Sequence, residues 1–232
     1  MISRRQLLYF SALFAFCYPI ANLKYFAAAD DINDVLDDNR QYPLTLNILK
    51  KAYWAEITAH KHYNKYCQKA FSEDYPNIAY LFSVLSVSEK IHADNYKKII
   101  ISLSSTIEAK EISVSIGNTK KNLNTAAKKE LEKINKFYPE ILKELSSESH
   151  DQAVINCMYS WQSHQQHKKM ITDIKNNSGF FFKHLAKKIE NMKPNFYVCE
   201  ICGSTVDEKP TIPCEICNYP VSHYMELERP AY

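Results

Sequence analysis

Ser88-Glu-Lys-Ile-His-Ala93 is the part of the sequence that best indicates how the chain folds. It lies in a segment that starts near Pro76 and repeats apolar residues at steps of three and four, as an amphipathic helix does. The apolar stripe consists of Ile78, Leu81, Phe82, Leu85, Tyr96 and Ile99. Glu89 and His92 fall on that stripe. Because a buried carboxylate is rarely found without a paired charge or a bound cation, this helix is predicted to face something positive.

Three further segments show the same helical periodicity: Pro43 to Phe71, Leu123 to Leu145 and His150 to Ile174. The stretch from Ser102 to Asn122 is rich in Ser, Thr and β-branched residues, and it is long enough to be a crossover connection. The sequence therefore predicts a mainly α protein, a four-helix bundle with a long crossover between helices two and three.

Polar residues also interrupt the apolar stripes of the other three helices. They are Glu56 in the first, Glu130 in the third, and His164 and His167 in the fourth. The E-x-x-H spacing places a carboxylate and an imidazole on one helix face, as in di-iron bundles. His60, one turn after Glu56, is a further candidate, and a hydrogen-bonded core histidine is the alternative for it. Each residue alone would suit an ordinary role, but their agreement across four helices predicts a metal site at the centre of the bundle.

Two Cys-x-x-Cys pairs lie close to the end of the chain. They are Cys199 with Cys202 and Cys214 with Cys217. Two such loops give tetrahedral sulfur ligation, which suits iron or zinc equally. Since so short a segment cannot bury enough apolar surface to fold alone, a bound metal is expected to stabilise it. Two disulfides are the alternative.

The first 29 residues have the composition of a secretory signal. Arg4-Arg5 is followed by a mostly apolar run over residues 7–23 and by three alanines that end at Ala29. This beginning resembles a twin-arginine signal, which directs the export of folded proteins. We expect cleavage after Ala29 and a periplasmic location. An uncleaved segment that anchors the protein in a membrane is the alternative, because the apolar run is at the lower limit for a span.

Composition limits the remaining classes of function. The 232 residues include only three glycines, too few for a glycine-rich phosphate loop. Arg4, Arg5 and Lys24 account for the formal net charge of +3, so the rest of the chain lacks the basic character of a nucleic-acid-binding protein. The predicted regions are a signal peptide (1–29), a linker (30–42), the bundle (43–175), a linker with a short helix at Phe180–Met192 (176–194), and the cysteine domain (195–232).

Together, the helices and the tail resemble the rubrerythrin family over roughly residues 43–230. The similar segments are Ala55–Ala59, Ser88–Ala93 and Phe137–Glu140 in the helices, and Tyr197–Gly203 and Pro213–Cys217 in the tail. The resemblance implies a ferritin-like bundle with a rubredoxin-like tail. It implies that the bundle ligands of a di-iron centre include Glu56, Glu89, His92, Glu130 and His167. It also implies a non-haem iron oxidoreductase, which reduces hydrogen peroxide or O2 with electrons passed through an Fe(Cys)4 centre from an external donor.

Two positions depart from the family pattern. Lys133 aligns with the second glutamate of helix three, and His164 aligns with the glutamate of the last E-x-x-H. A protonated lysine offers no lone pair to a metal, and an imidazole cannot bridge two ions as a carboxylate can. The bundle could therefore hold two irons or one. The alternative function is a non-catalytic metal-binding or electron-carrier protein with a degenerate bundle site.

The resemblance also bears on assembly and on two further thiols. In the family, the tail and the bundle of one subunit lie far apart and electrons pass between subunits, so we expect a homodimer with the tail held off its own bundle. We also expect helices one and four to run in opposite directions. That arrangement would bring Cys67 and Cys157 to one end of the bundle, either as a disulfide or as two separate buried thiols.

Overall fold

The computed structural model describes residues 42–176 and 195–230. The helical elements are α1 (Pro43–Ser72), α2 (Pro76–Ser102), α3 (Thr119–Glu132), a π-helical segment (Lys133–Phe137), α4 (Tyr138–Leu145) and α5 (Asp151–Asn176). Because α3, the π segment and α4 are contiguous, they form the third helix of a four-helix bundle. Pro43 and Pro76 lie in the first turns of α1 and α2, where a missing N–H breaks no helical hydrogen bond. The predicted mainly α bundle is confirmed.

Two buried clusters form the core at opposite ends of the bundle. In one, Ile48 and Leu49 of α1 pack with Tyr96 of α2 and Cys157 of α5. In the other, residues that follow Glu56 on α1, including Cys67, pack with the first turns of α2 and α3. The first turns of α1 and α5 therefore lie at the same end of the bundle, and these two helices run in the same direction.

This direction corrects the expectation that helices one and four are antiparallel. The crossover leaves α2 beside the first cluster, where Leu103 and Ile107 pack, whereas α3 begins in the second cluster at Leu123. The crossover thus runs the length of the bundle, so α2 and α3 are parallel. Since α1 is antiparallel to α2 and α5 is antiparallel to α3, α5 is parallel to α1. Cys67 and Cys157 lie in different clusters and are not bonded to each other.

The π segment has an identifiable cause. Pro139 cannot donate a backbone hydrogen bond to the preceding turn, and the N–H of Tyr138 bonds to the carbonyl of Lys133, five residues back. The indole Nε1 of Trp161 donates to the carbonyl of Ile134 at 3.0 Å, so a carbonyl within this segment finds its partner on α5. The altered winding sets the direction of the Lys133 and Tyr138 side chains.

The tail is a small three-stranded antiparallel sheet. Strands β1 (Tyr197–Cys199), β2 (Thr205–Val206) and β3 (Tyr224–Glu226) lie in the order β2-β1-β3. The sheet contacts α2 where it begins: the Phe196 ring packs at a tilt against Tyr80, and the Phe196 N–H donates to the Tyr80 hydroxyl at 3.1 Å. The tail is therefore packed on the bundle of its own chain, and the expectation that it is held off the bundle is wrong.

Several sequence predictions concern residues outside those described. They are the signal peptide with its cleavage at Ala29, nearly all of the linker 30–42, and the short helix Phe180–Met192. Among the described residues, no helix has both the length and the apolar character that crossing a membrane requires.

Candidate metal centres

Four cysteine sulfurs converge in the tail. Cys199 ends β1 and Cys202 lies in the turn that follows, while Cys214 and Cys217 come from the second loop, and all four are buried. The Sγ atoms of Cys199 and Cys217 are 3.6 Å apart, and those of Cys202 and Cys214 are 3.5 Å apart. Metal–sulfur bonds of about 2.3 Å in a tetrahedron would separate the sulfurs by about 3.8 Å. The cluster matches a four-cysteine site that could hold iron.

The four thiols also influence each other's ionisation. Hydrogen bonding among them lowers the pKa of Cys199 and Cys214 and raises that of Cys202 and Cys217. The thiolate is the form that binds a metal. Metal binding would therefore release the remaining thiol protons of the cluster.

A second cluster occupies the middle of the bundle. It combines three carboxylates, three imidazoles and one ammonium: Glu56 (α1), Glu89 and His92 (α2), Glu130 (α3), Lys133 (π segment), His164 and His167 (α5). Every one of the carboxylates and imidazoles is buried, and the Lys133 side chain is 11% exposed. Two overlapping groups of donor atoms each lie within 4.8 Å, namely Glu56, Glu89, His92 and His164, and Glu89, Glu130, His164 and His167. Their role as ligands stays a prediction.

His60 is the one bundle candidate that the structure does not bring into either group. Its Nδ1 lies 2.8 Å from the carbonyl of Ser86 and 2.9 Å from the Ser86 hydroxyl. His60 therefore joins α1 to α2 through hydrogen bonds, which is the alternative that the sequence left open for it.

Lys133 occupies the side of the cluster nearest Glu56. Its Nζ bonds to Glu56 Oε2, and it lies 3.1 Å from Glu89 Oε2 and 3.4 Å from His164 Nε2. The Tyr138 hydroxyl donates to the other oxygen of Glu56. Both oxygens of Glu56 thus have partners that the protein itself supplies.

On the opposite side of the cluster, around Glu130, some polar atoms have hydrogen-bond partners and others have none among the described residues. His164 Nδ1 lies 2.8 Å from Glu130 Oε2, and the Tyr63 hydroxyl donates to Glu130 Oε1. Glu89 Oε1 and His167 Nδ1 are buried and have no hydrogen-bond partner within the described structure. Since a buried unpaired polar atom is costly, these two atoms indicate a missing partner on this side.

Burial and the charge of Lys133 together shift the pKa values of the groups in the bundle cluster. Burial alone would raise the pKa of Glu56, but the Lys133 ammonium and His164 lower it well below its usual range. For Glu89, burial and the charges of Glu56 and Glu130 outweigh Lys133, so its pKa is raised. Burial opposes the charge of Lys133, yet the carboxylates around it raise its pKa. The surrounding carboxylates thus favour the protonated form of Lys133.

The site includes two tyrosines that the sequence analysis did not name as candidates. Tyr63 and Tyr138 are buried, and each donates its hydroxyl hydrogen to a carboxylate of the cluster. The signal was available for Tyr63, because it lies two turns after Glu56 on the same stripe and a buried phenol needs a polar partner. For Tyr138, the π segment hid the helical register.

A cavity of about 310 Å³ lies between α1 and α3 beside this cluster. Tyr63, Tyr66, Lys133 and Phe137 are among its lining residues. Lys133 and Tyr63 therefore border both the cavity and the carboxylates.

The tail meets the bundle directly at the two donor clusters. His92 Nε2 lies 3.1 Å from the carbonyl oxygen of Cys202, and Asn95 donates to the carbonyl of Ile201 at 2.7 Å. The Gly203 carbonyl accepts from Ser88 at 2.6 Å and from Ser163 at 2.9 Å. Gly203 has a φ of +76°, and a Cβ there would lie 2.4 Å from His92 Nε2. Glycine therefore allows the contact.

The chain was compared with known proteins. The rubrerythrin family model matches residues 47–175. The chain belongs to the rubrerythrin family. Two curated relatives are rubrerythrin-2 and rubrerythrin-1 of Clostridium acetobutylicum, each 28% identical; the alignments cover 75% and 78% of this chain and 91% and 92% of the relatives.

Solved structures agree on the fold. Nigerythrin in a mixed-valence state superimposes with a TM-score of 0.69 at 22% identity, over 83% of this chain and 91% of nigerythrin. A bacterioferritin of Mycobacterium tuberculosis gives 0.60 at 14% identity, over 65% of this chain and 96% of that one. The chain therefore has the ferritin-like fold, and its carboxylate–histidine cluster and four-cysteine cluster could both hold iron.

Proposed function

We propose that this protein reduces hydrogen peroxide or O2 at the bundle cluster, with electrons passed through an Fe(Cys)4 centre in the tail. The observation that carries the proposal is the hydrogen bond between His92 and the carbonyl of Cys202. It joins a candidate ligand of one cluster to a candidate ligand of the other. Family membership supports the reaction class, and a solved relative in fold, nigerythrin, is known in an all-ferrous state.

Peroxide reduction requires protons as well as electrons, since one H2O2 takes up two electrons and two protons to give two waters. Iron, when bound, would supply the change in oxidation state. Tyr63 and Tyr138 hold protons at hydroxyls bonded to Glu130 and Glu56. Burial and the nearby carboxylates raise the pKa of both phenols, so the hydroxyls stay protonated at neutral pH.

The remaining side chains would position the two clusters. Ser88, Asn95 and Ser163 fix the tail loop through its carbonyls, and Gln166 accepts from the backbone N–H of Thr205 at 3.1 Å. With Nε2 committed to the Cys202 carbonyl, His92 keeps Nδ1 on the side of Glu89. Electrons entering the tail from an external donor would thus have a short bonded route to the bundle.

Stopped-flow mixing of the reduced protein with peroxide tests this proposal. The full chain is loaded with iron, reduced without air and mixed with less than one equivalent of H2O2. The absorbance of the tail iron should report the oxidation of that iron. The protein as a whole should lose two electrons for each peroxide. The matched variant is His167→Gln, which removes an imidazole of the bundle cluster and leaves the four cysteines intact.

Rapid oxidation in the wild type and slow oxidation in His167→Gln would support the enzyme. Equal, slow oxidation in both would contradict it and favour the second candidate, a non-catalytic metal-binding or electron-carrier protein. The observation that favours this second candidate is the contact of Lys133 with two carboxylates, Glu56 and Glu89, that would otherwise be open to a metal.

Export and assembly belong to the same proposal. The start of the sequence supports a periplasmic protein delivered by a twin-arginine signal, and a double Arg4→Lys, Arg5→Lys variant should remain in the cytoplasm.

A homodimer stays a prediction that light scattering of the exported protein would test. The tail reaches the bundle of its own chain, so a dimer is not needed to join the two clusters.

A further inference from the structure

The two sides of the bundle cluster differ in what fills them. On the Glu56 side, the Lys133 ammonium bonds to two carboxylates, one oxygen of each, and the Tyr138 hydroxyl takes the second oxygen of Glu56. A cation on that side would have to displace a charged amine and a phenol. The protein itself therefore supplies the positive charge there.

On the Glu130 side, four donor atoms surround a common point. His164 Nδ1 is 2.8 Å from Glu130 Oε2 and 3.6 Å from Glu89 Oε1. His167 Nδ1 is 3.7 Å from each of those oxygens. Metal–ligand bonds of about 2.1 Å would place neighbouring ligands about 3.0 to 3.4 Å apart in octahedral or tetrahedral geometry. The observed separations of 2.8 to 3.7 Å bracket that range, so shifts of a few tenths of an ångström would place the four atoms around a single ion.

Two of these four atoms are the ones that lack a partner. Glu89 Oε1 and His167 Nδ1 are fully buried and make no hydrogen bond among the described residues. The other oxygen of Glu89 faces Lys133. Glu89 thus divides the cluster, with one oxygen for the ammonium and one directed at the position between Glu130 and the histidines.

The surroundings of His164 fit the same arrangement. With Nδ1 on the Glu130 side, its Nε2 lies 3.2 Å from Glu56 Oε1. Ligating histidines usually donate their second ring N–H to a carboxylate, which fixes the ring and increases its basicity. Glu56 would then orient a ligand instead of binding the metal itself.

We propose that the bundle binds one metal ion, through Glu89, Glu130, His164 and His167, and that the Lys133 ammonium takes the place of a second ion. Two imidazoles and two carboxylates suit divalent iron. This inference rests on the metal-binding part of the proposed function and changes the number of ions.

Charge supports one ion over two. One divalent ion and one ammonium neutralise three carboxylates, whereas two divalent ions beside the same ammonium would leave two positive charges in excess. Uncompensated charge in a buried site is strongly unfavourable. The di-iron pattern with about four glutamates is balanced without a lysine, so the substitution of Lys133 removes both a ligand and the need for the second ion.

A matched pair of variants tests which carboxylate binds metal. Glu130→Gln and Glu56→Gln both replace a buried glutamate of the cluster by its neutral analogue. We expect Glu130→Gln to lose the bundle ion and Glu56→Gln to retain it, as measured by iron content of the full chain after equal loading. Loss of bundle iron in both variants, or in neither, would overturn the assignment.

The number of ions is measured in the wild type and in Lys133→Glu. We expect two irons per wild-type chain, one in the tail and one in the bundle, both visible by EPR in the ferric state. Lys133→Glu should raise the content to three, with the bundle pair magnetically coupled and EPR-silent. Three irons in the wild type would overturn this inference and leave the proposed enzyme intact. One iron would contradict both.

Discussion

The tail cluster and the bundle cluster are built in different ways. The four sulfurs of the tail come from two Cys-x-x-Cys loops in one short stretch of the chain, Cys199 to Cys217. The donors of the bundle come from four helices, between Glu56 and His167, and only the direction and register of those helices bring them together. A local site is thus specified by its motif, and a dispersed site by the topology.

The two regions that hold these clusters also differ in what stabilises them. The tail core consists mainly of the cysteines themselves with partly buried tyrosines and isoleucines around them. The bundle has two apolar clusters, one on each side of its polar layer. Metal is therefore expected to be part of the fold in the tail, whereas apolar packing stabilises the bundle and tolerates a modified polar layer.

The largest expected effect is from Cys214→Ser. Structural metal sites in small domains contribute about 10 kcal/mol or more of apparent binding free energy, so loss of one thiolate should remove the tail metal and unfold the tail. Most of the bundle helicity should be retained, because Cys214 belongs to neither apolar cluster and, of the described tail residues, only Phe196 and Val198 are buried members of them. Metal analysis and far-UV circular dichroism of the variant would measure the two effects.

Cys67→Ser is the control for that variant, since Cys67 is a buried thiol of the bundle core. It should keep the tail metal. Retention of tail metal in Cys214→Ser, or collapse of bundle helicity with it, would show that the two regions do not differ as described.

Gly203→Ala should have a smaller effect, at the contact between the two clusters. The added methyl would meet His92 Nε2, in a left-handed backbone conformation that costs alanine about 1 to 2 kcal/mol. We expect slower electron transfer from tail to bundle, with iron content unchanged, and a lower urea midpoint. Stopped-flow absorbance and urea unfolding measure these quantities.

Gly117→Ala is the matched control. Its added methyl would meet only the flexible side chain of Lys121. If Gly203→Ala transfers electrons as fast as Gly117→Ala does, the close approach of the tail to His92 is unimportant, and the two clusters work independently.

The tail cluster and the bundle cluster also differ in how well the sequence predicts them. The four cysteines and the helical placement of Glu56, Glu89 and Glu130 follow from spacing and periodicity, which are local properties. The direction of α5 could not be inferred correctly, because it depends on which end of the bundle the crossover reaches. Because of that single error, Cys67 and Cys157 were expected at one end of the bundle, whereas they lie in the clusters at its opposite ends.

Lys133 shows a second limit. The sequence places it one turn after Glu130 and identifies it as a departure, but the ion pairs that it makes depend on the winding of the π segment. That winding arises from Pro139 and from the bond that Trp161 donates to Ile134, which is made across 27 positions of the chain. A lysine near carboxylates can be predicted from spacing, but its selection of Glu56 and Glu89 over Glu130 cannot.

The smallest effect tests whether long-range contacts also hold the ends of the bundle. Tyr42 gives α1 no side-chain cap; instead, Glu148 accepts from the backbone N–H groups of Leu44 at 3.0 Å and Thr45 at 2.8 Å. A carboxylate at a helix N-terminus satisfies unpaired donors and faces the positive end of the dipole. Glu148→Gln should cost about 0.5 to 1.5 kcal/mol, because an amide offers one accepting oxygen and no charge.

The pH dependence of that cost has a definite sign. Partial burial would raise the pKa of Glu148, but the N–H groups of Thr45 and Leu44 lower it below the ordinary 4.5. A carboxyl whose pKa is lower in the folded state contributes its full stability above its unfolded value and loses it as pH falls through the folded value. The difference in unfolding free energy between wild type and Glu148→Gln should therefore be constant near neutrality and shrink in acid. Glu144→Gln, at an exposed position of the preceding helix α4, should show a smaller cost at neutral pH. A Glu148→Gln difference that grows on acidification would rule out this cap, and α1 would then begin without help from the far side of the sequence.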